Sequence, residues 1–430
     1  MKHWLLLLIP AIINAQDFTT LLKLSQNNLQ LQAKSQEVKA KKALYKLEQS
    51  KNYPTLDAKL SAIYLKDTPS MNFNLPFAGM PPKIEVGKRP NYTGEVGLSY
   101  PLFTGFAISN LIEKAKLDFE KTKLEKKDAK RKLYMNIASL YGSLYALNHA
   151  ITANKDAYKA IDDAWKKASG FYKAGLLSSA DLANIKAKKY EITANQKGLE
   201  NQRENIKKLL SYITTTTINN KTILPKIKLP TKEILIQEAL NKRADILALQ
   251  KILNMDESDI KLAKSTYMPN IALIGALKLQ GDTLKLNGDG FTNPNKSYIG
   301  ASMEWKLFDG FTTKHRTDAA KAKKMARILL LKDYQKNIQT TLENQINTLH
   351  TLILQKEAKK AQYDATQSYY KLTYGRFSNH LASSDELSRS IASKATAKAQ
   401  LEKIISEIFT QKCKILLESS LKEFEENLSL

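Results

Sequence analysis

The chain has 430 residues, with 67 Lys and Arg against 42 Asp and Glu, which gives a formal net charge of +25 at pH 7. A charge this basic suggests nucleic acid or anionic lipid as a partner, but the lysines are spread along the whole chain without a compact basic patch, so we predict no nucleic-acid partner. The only cysteine, Cys413, excludes an intrachain disulfide, and the five histidines are too scattered to form a metal-ligand spacing.

The first 15 residues predict a signal peptide. Lys2 and His3 form a short basic region, residues 5–13 are mostly apolar, and Ala15 offers a cleavage site before Gln16. This apolar run is too short to span a bilayer, which takes about 20 residues of helix. No later apolar run in the sequence approaches that length, so an exported chain that enters a membrane would do so with β-strands.

Two motifs recur at one common offset of 205 residues. Residues 171–182 read FYKAGLLSSADL, and residues 376–387 read RFSNHLASSDEL. Residues 98–106 read LSYPLFTGF, and residues 303–311 read MEWKLFDGF. Two independent matches at one spacing indicate a duplicated unit.

The duplication predicts the domain boundaries. We predict a first repeat over residues 16–213 and a second over residues 231–430. Residues 214–230 form a linker, because their Thr, Asn and Pro residues oppose helix. Each repeat reads as helix, strand, loop, strand, long helix, turn and helix.

The longest helices are predicted over residues 107–171 and 312–377, where heptad-like apolar spacing continues with almost no Pro or Gly. Each would have about 65 residues and a length on the order of 100 Å. Shorter helices are predicted on either side, over about residues 17–52 and 178–211. Helices this long do not form the core of an ordinary globular domain, so we predict a long helical wall.

Four segments change from the helical period to strict alternation, which predicts β-strands. They cover residues 54–65, 92–103, 270–280 and 297–308. Each has about ten residues with aromatic side chains near its ends, as in transmembrane β-strands. The apolar residues that we assign to a lipid-facing side include Leu98, Tyr100, Met303 and Trp305.

Two amphipathic hairpins on the surface of a soluble core would give the same alternation. The loops of the hairpins, residues 66–91 and 281–296, are long, which favours the membrane interpretation. Four strands cannot close a barrel, and open sheet edges are not tolerated in lipid, so the chain would have to assemble. Two copies would give eight strands with a filled interior, and three would give twelve with room for a lumen.

The turns after the long helices carry acidic residues. Ser178 with Asp181, and Ser383 with Glu386, read as capping boxes that start the next helices. Capping alone is a sufficient explanation of these carboxylates. If several copies surround an axis, Glu386 and its neighbour Asp385 would also contribute to an acidic ring that attracts cations at a pore tip.

These features together resemble the TolC-like family of outer-membrane efflux proteins. The resemblance rests on the signal peptide, on YPLFTGF and WKLFDGF at the strand ends, on AGLLSSADL at the first turn, and on ALNKRADILAL with AKSTYMPNI in the second repeat. It implies a mainly α-helical fold with a small β part, in which a homotrimer combines a 12-stranded outer-membrane barrel with a periplasmic barrel of long helices. It also implies a passive exit duct of a tripartite efflux pump or a type I secretion system, with a periplasmic adaptor, an inner-membrane transporter and outer-membrane lipid as partners.

The resemblance also assigns functions to residues of the turns. The residues that match adaptor-docking positions are Gly175, Leu176, His380 and Leu381. Asp181 and Glu386 match acidic gate positions. His380 replaces a glycine of the family, Phe377 stands where some members have a tyrosine bonded to an acidic residue, and Arg389 stands where some have a second acidic ring residue. These departures imply a gate without that tyrosine bond and a tip that is less selective for cations.

The alternative function is a secreted coiled-coil or adhesive scaffold with soluble hairpins, which would need no detergent. The sequence contains no nucleotide-binding loop, catalytic dyad or metal cluster. We therefore predict that the protein is not an enzyme and that it carries no cofactor or metal.

Overall fold

The computed structural model of the chain describes residues 17–72 and 83–428. The predicted signal peptide lies outside the described residues, as does part of the predicted loop 66–91. The described part is mostly α-helical with a small β part, which confirms the predicted fold class. None of its helices is long and apolar enough to cross a membrane.

The first predicted helix is broken into two. Helix α1 (Phe18–Leu24) and helix α2 (Leu29–Ser50) are separated by a 3₁₀ turn over Ser25–Asn27. Asp17 is the N-cap of α1, because its carboxylate accepts a hydrogen bond of 2.6 Å from the backbone N–H of Thr19.

The long helices recur in two sets of equal length. The remaining helices, in chain order, are α3 (Ala107–Lys173), α4 (Ser179–Thr214), α5 (Lys232–Lys242), α6 (Ala244–Ser265), α7 (Thr312–Ser378), α8 (Ser384–Ser419) and α9 (Leu421–Asn427). α3 and α7 each have 67 residues, and α4 and α8 each have 36. Both ends of each pair are 205 residues apart, which is the offset of the sequence motifs.

Residues 215–231, between α4 and α5, contain no helix or strand. The hydroxyl of Tyr141 in α3 donates a hydrogen bond to the carbonyl of Ile223 and accepts one from its N–H, both at 3.0 Å. The ammonium of Lys412 in α8 donates to the carbonyl of Ile227 at 3.0 Å. These bonds satisfy backbone groups of the extended segment and fix it to the long helices.

The strands form one main sheet and one small ladder. In chain order they are β1 (Thr55–Tyr64), β2 (Ser70–Asn72), β3 (Lys83–Glu85), β4 (Pro90–Thr104), β5 (Asn270–Gly281) and β6 (Tyr298–Glu304). β2 pairs with β3, which the sequence did not predict, and the other four strands form an antiparallel sheet in the order β1-β4-β5-β6.

The register of the main sheet collects its apolar residues on one face. Leu56 lies opposite Leu98, Leu98 opposite Gly275, and Gly275 opposite Ile299. Residues two positions away along each strand share this face, so Leu60, Leu277 and Met303 belong to it. The opposite face carries polar residues, including the ion pair between Glu95 and Lys278 (Oε2–Nζ 3.2 Å).

Two predicted details of the strands are wrong. The register shifts between Pro101 and Phe103, so Leu102 leaves the predicted alternation at a β-bulge. β6 ends at Glu304, and Trp305 is therefore not a strand residue. Continuing the register would set Trp305 opposite Pro269, which has no N–H to donate to the ladder. The indole N–H of Trp305 donates instead to the carbonyl of Tyr267 at 3.0 Å.

The chain divides into two compact units, each of which takes segments from both predicted repeats. The first unit comprises the described residues of 1–37, 123–248 and 331–430 and contains the turns after α3 and α7. The second comprises the described residues of 38–122 and 249–330 and contains the main sheet. The boundaries of the predicted sequence repeats stay a prediction.

An aromatic core holds α1 in the first unit. The ring of Phe18 lies 5.2 Å from that of Tyr141 and 5.1 Å from that of Phe409, and Phe18 is fully buried. α3 and α8 approach closely at Gly142, whose carbonyl accepts a hydrogen bond of 2.6 Å from the hydroxyl of Ser406. A Cβ at this position would overlap the Thr410 hydroxyl, so glycine allows this approach with the Thr410 and Ser406 side chains in place.

A buried ionic cluster joins the start of α6 to the end of α8 in the same unit. Arg243 donates to Asp245 at 2.9 Å and to the carboxylate of Glu418 at 2.6 Å. The hydroxyl of Tyr334 donates to Asp245 at 2.7 Å. Burial opposes ionisation of Asp245, but the charge and hydrogen bonds of Arg243 outweigh it and hold the pKa of this carboxyl below its usual value. Burial and the hydrogen bond to Asp245 raise the pKa of Tyr334 to about 12.

We predict that Arg243→Ala lowers the free energy of unfolding by about 3–5 kcal/mol. The reason is that Arg131, which contacts Asp245 and Glu418 at 3.4 and 3.3 Å, would be the remaining cation beside these two carboxylates in the described chain. The neutral Tyr334 would still donate to Asp245. The measurement is thermal or denaturant unfolding of the purified protein. Lys242→Ala is the control because it removes an i,i+4 ion pair whose lysine is exposed, and such a pair contributes little to stability. Equal losses in the two variants would contradict the prediction.

Candidate functional site

The turn after α3 closes with two backbone hydrogen bonds. The N–H of Leu176 donates to the carbonyl of Phe171 at 2.9 Å, and the N–H of Gly175 donates to that of Tyr172 at 3.0 Å. This pair of bonds is the Schellman motif, which satisfies carbonyl groups left free at a helix end. The motif requires a left-handed residue, and Gly175 has φ of +75°.

The turn after α7 has the same geometry. The N–H of Leu381 donates to the carbonyl of Arg376 at 2.8 Å, and the N–H of His380 donates to that of Phe377 at 3.2 Å. Gly175 and His380 therefore occupy equivalent positions, 205 residues apart in the sequence. We call the two turns, residues 174–178 and 379–383, the hairpin tips.

His380 adopts a backbone conformation that favours glycine. Its φ is +61°, and the left-handed region costs a residue with a Cβ roughly 1–2 kcal/mol. Its ring lies against that of Phe171, with 4.1 Å between centroids, and this contact offsets part of the cost. The histidine thus connects the second tip to the end of the first long helix.

Serine caps begin the helices after both tips. Ser178 Oγ accepts a hydrogen bond of 3.1 Å from the N–H of Asp181, and Ser383 Oγ accepts one of 3.1 Å from the N–H of Glu386. The serine half of each predicted capping box is therefore confirmed. The carboxylate half is different, because Asp181 accepts from the Ser178 hydroxyl at 2.7 Å and Glu386 binds the guanidinium of Arg376.

Asp181 joins the two hairpin tips. Its Oδ2 accepts from Ser178, and its Oδ1 accepts a hydrogen bond of 2.8 Å from the hydroxyl of Ser384 at the start of α8. The hydrogen bonds from Ser178 and Ser384 hold the pKa of Asp181 below its usual value. A lowered pKa means that the link contributes above the ordinary carboxyl pKa and is lost only as the pH falls through the lowered one.

Phe377 packs into the apolar core between the tips. It is buried, and its ring lies 6.0 Å from that of Phe171. It has no hydroxyl for Asp181, in agreement with the expectation that a tyrosine bond is missing. Ser384 supplies the hydrogen bond to Asp181 instead.

The other two predicted acidic residues are held in ion pairs. Glu386 lies 3.1 Å from Nη1 of Arg376, and Nη2 of the same arginine donates to the carbonyl of Leu381 at 3.0 Å. Asp385 lies 2.7 Å from Nη2 of Arg389, one turn further along α8. Arg376 and Arg389 thus balance the charge of the two carboxylates beside the second tip.

Two of the four predicted docking residues are leucines whose side chains are exposed to solvent. Leu176 and Leu381 are exposed, at 62% and 67% of their surface. They follow Gly175 and His380 at equivalent positions of the two Schellman motifs. Both tips therefore present one large apolar side chain to solvent.

Three of the four residues that were predicted to face lipid lie on the apolar face of the main sheet. The register sets Leu98, Tyr100 and Met303 on the same side of the sheet. Trp305 lies beyond the end of β6. These residues belong to the second unit, whereas all predicted tip residues belong to the first.

The sequence did not single out Ser384 and Arg376. Ser384 follows the Ser383 cap directly, and Arg376 lies in the last turn of α7, where a cation is favoured by the helix dipole. These local positions are ordinary ones for serine and arginine. Only the approach of the two tips gives Ser384 its bond to Asp181.

Two helical hairpins of equal length and a four-stranded sheet with an apolar face define a mainly α-helical protein built from a duplicated unit. The sequence profile of the outer membrane efflux protein family matches residues 21–213 and 235–405. The chain belongs to this family. The predicted efflux-channel function is thereby confirmed, and the scaffold alternative is not supported.

Solved structures of similar fold include several outer-membrane channels. CusC is 14% identical with a TM-score of 0.78, covering 94% of this chain and 92% of its own. VceC from Vibrio cholerae is 14% identical with a TM-score of 0.75, covering 94% and 95%. The CmeC outer membrane channel from Campylobacter jejuni is 15% identical with a TM-score of 0.76, covering 94% and 85%. No curated protein sequence matches the chain.

We predict that Ser384→Ala loosens the contact between the hairpin tips. Removing its hydroxyl costs the Asp181 link about 1 kcal/mol, so the distribution of distances between the tips should widen. Spin labels at positions 176 and 381 report this distance by pulsed electron paramagnetic resonance. Cys413 is fully buried and should not react with the label.

The matched control is Ser388→Ala, because Ser388 is a buried serine of α8 four positions after Ser384. It should leave the distance distribution unchanged. The prediction fails if Ser384→Ala gives the distribution of the unmodified protein, or if the control widens it equally.

Proposed function

We propose that the chain is one subunit of a homotrimeric exit duct in the outer membrane, with a large periplasmic portion. The duct passes its cargo passively and works with a periplasmic adaptor and an inner-membrane transporter. The family membership of the chain supports this proposal.

The observation that carries the proposal is the open sheet with an exposed apolar face. In the described chain, β1 pairs only with β4 and β6 only with β5, so each leaves one edge for another strand. Backbone groups at these edges need partners in lipid, and pairing between subunits provides them. Three copies of four strands give a 12-stranded barrel with a lumen, whereas two copies would give a filled one.

The two faces of the sheet suit lipid and water respectively. Leu56, Leu60 and Ile299 are exposed at 73%, 86% and 77% of their surface on the apolar face. The opposite face pairs Glu95 with Lys278 across β4 and β5. An outward apolar face and an inward polar face are the pattern of an outer-membrane barrel with a water-filled interior.

The hairpin tips suit the end of the duct that meets the pump. Leu176 and Leu381 are exposed apolar residues on rigid turns, which favours their use in docking an adaptor protein. Gly175 and His380 set the turn conformation that presents them. In this proposal the link between Asp181 and Ser384 keeps the two tips of one subunit together at the gate.

The native mass of the mature protein, extracted in detergent from an outer-membrane fraction, tests this proposal. A mass near three chains that is reached only with detergent supports the trimeric duct. A soluble species of one or two chains contradicts it, because the exposed apolar face would then need no membrane.

We predict that Leu98→Lys lowers the yield of membrane-assembled trimer more than Ser99→Lys does. Leu98 lies on the apolar face and Ser99 on the opposite one, and a lysine facing the middle of the bilayer costs about 2–4 kcal/mol. Heat-resistant trimer in the outer-membrane fraction is measured by gel electrophoresis. Met303→Lys and Ser302→Lys form an independent pair in β6. Similar losses on both faces would refute the assignment of the lipid side.

A further inference from the structure

Two of the three carboxylates beside the hairpin tips, Asp385 and Glu386, are paired with cations, whereas Asp181 keeps its negative charge. An acidic ring at a pore entrance attracts cations only if its charge is not neutralised locally. Asp181 accepts hydrogen bonds from two serine hydroxyls, and Asp385 and Glu386 each have a guanidinium partner within 3.1 Å. The charge of the second tip is therefore balanced within the chain.

The charge of the tip region as a whole is slightly positive. We take residues 171–186 and 376–391, from the last turn of each long helix through the second turn of the next helix. They contain four cationic side chains, Lys173, Lys186, Arg376 and Arg389. They contain three carboxylates, Asp181, Asp385 and Glu386. Four against three gives +1 per chain with His380 neutral, whereas the carboxylates alone would give −3.

The two arginines differ in how they are held. Arg376 binds both Glu386 and the carbonyl of Leu381, so it also stabilises the turn. Arg389 is exposed at 71% of its side chain and binds Asp385, whose side chain is 60% exposed. An exposed pair of this kind contributes little to stability, but removing its cation would leave the Asp385 carboxylate unbalanced beside ions that pass close by.

We propose that Arg376 and Arg389 determine the charge selectivity of the duct entrance, so that the tip does not favour cations and admits neutral and anionic solutes. This inference rests on the proposed function, because it needs the tips to surround the path of the cargo. The balance of charge lies within one subunit, so it persists in any symmetric assembly of the chain.

The test is the reversal potential of the trimer in a planar lipid bilayer under a potassium chloride gradient. The unmodified channel should show a potassium-to-chloride permeability ratio of one or below. Arg389→Gln should raise this ratio by at least about twofold, the effect of three unit charges roughly 10 Å from a passing ion after screening at 0.1 M salt. The double variant Arg376→Gln/Arg389→Gln should raise it further.

Lys403→Gln is the matched control. Lys403 lies on α8 and pairs with Glu407 at i,i+4, so the variant removes one exposed cation and leaves one carboxylate, as Arg389→Gln does. It lies 14 residues from Arg389, about 21 Å along the helix, which exceeds the screening length of about 10 Å. It should leave the permeability ratio unchanged. Trimer mass is checked for each variant, so that loss of assembly is not read as a change in selectivity.

A clear preference of the unmodified channel for potassium would overturn the inference, and so would a ratio that Arg389→Gln leaves unchanged. Ser384→Ala is recorded in parallel, because in the proposed duct its loosened tips should conduct even if the unmodified tips are closed. Absence of any conductance in both proteins contradicts the proposed duct itself. Failure of the charge-selectivity inference can therefore be distinguished from failure of the proposed duct.

Discussion

The hydrogen bond between Asp181 and Ser384 requires the two helical hairpins to keep equal lengths. It joins the start of α4 to the start of α8, so α3 and α7 must bring their turns to the same place. One extra residue in either helix would rotate all later side chains by about 100° and separate the bonded groups. The pairs α3/α7 and α4/α8 keep an offset of 205 residues at both ends, whereas β1 and β5 begin 215 residues apart. The two copies therefore differ in length within the β-hairpins, whose loops tolerate insertions, and not within these long helices.

The sequence predicted those elements whose pattern is local. The long helices end within two residues of the predicted positions, because long apolar spacing with almost no Pro or Gly specifies them. β6 was predicted too long, because alternation continues in the sequence after Glu304 while the partner strand β5 begins only at Asn270. The break of the first helix at Ser25–Asn27 was missed, since that segment contains no Pro or Gly to signal it.

The same distinction applies to the candidate site, where contacts within one turn of helix were predicted and contacts between the tips were not. The caps at Ser178 and Ser383 follow from spacing within one turn of helix, and the structure contains both. The bond between Asp181 and Ser384 spans 203 residues, and no pattern within either tip indicates it. Arg376 and Glu386 are ten residues apart across a turn, so their pairing depends on the Schellman geometry. The carboxylates of a sequence motif are therefore a poor guide to the electrostatic potential around it, because their cationic partners are fixed by the fold.

Ion pairs of the same chemistry have different consequences at the two ends of α8. At its last turn, Glu418 binds the buried Arg243, and removing either partner would leave a charge in a site from which water is largely excluded. In its first two turns, Asp385 and Arg389 are both exposed, so their pairing adds little to stability. Stability thus gives no reason for an arginine at position 389. Arg389 instead changes the net charge at the surface of the tip, and this charge can alter the passage of ions there.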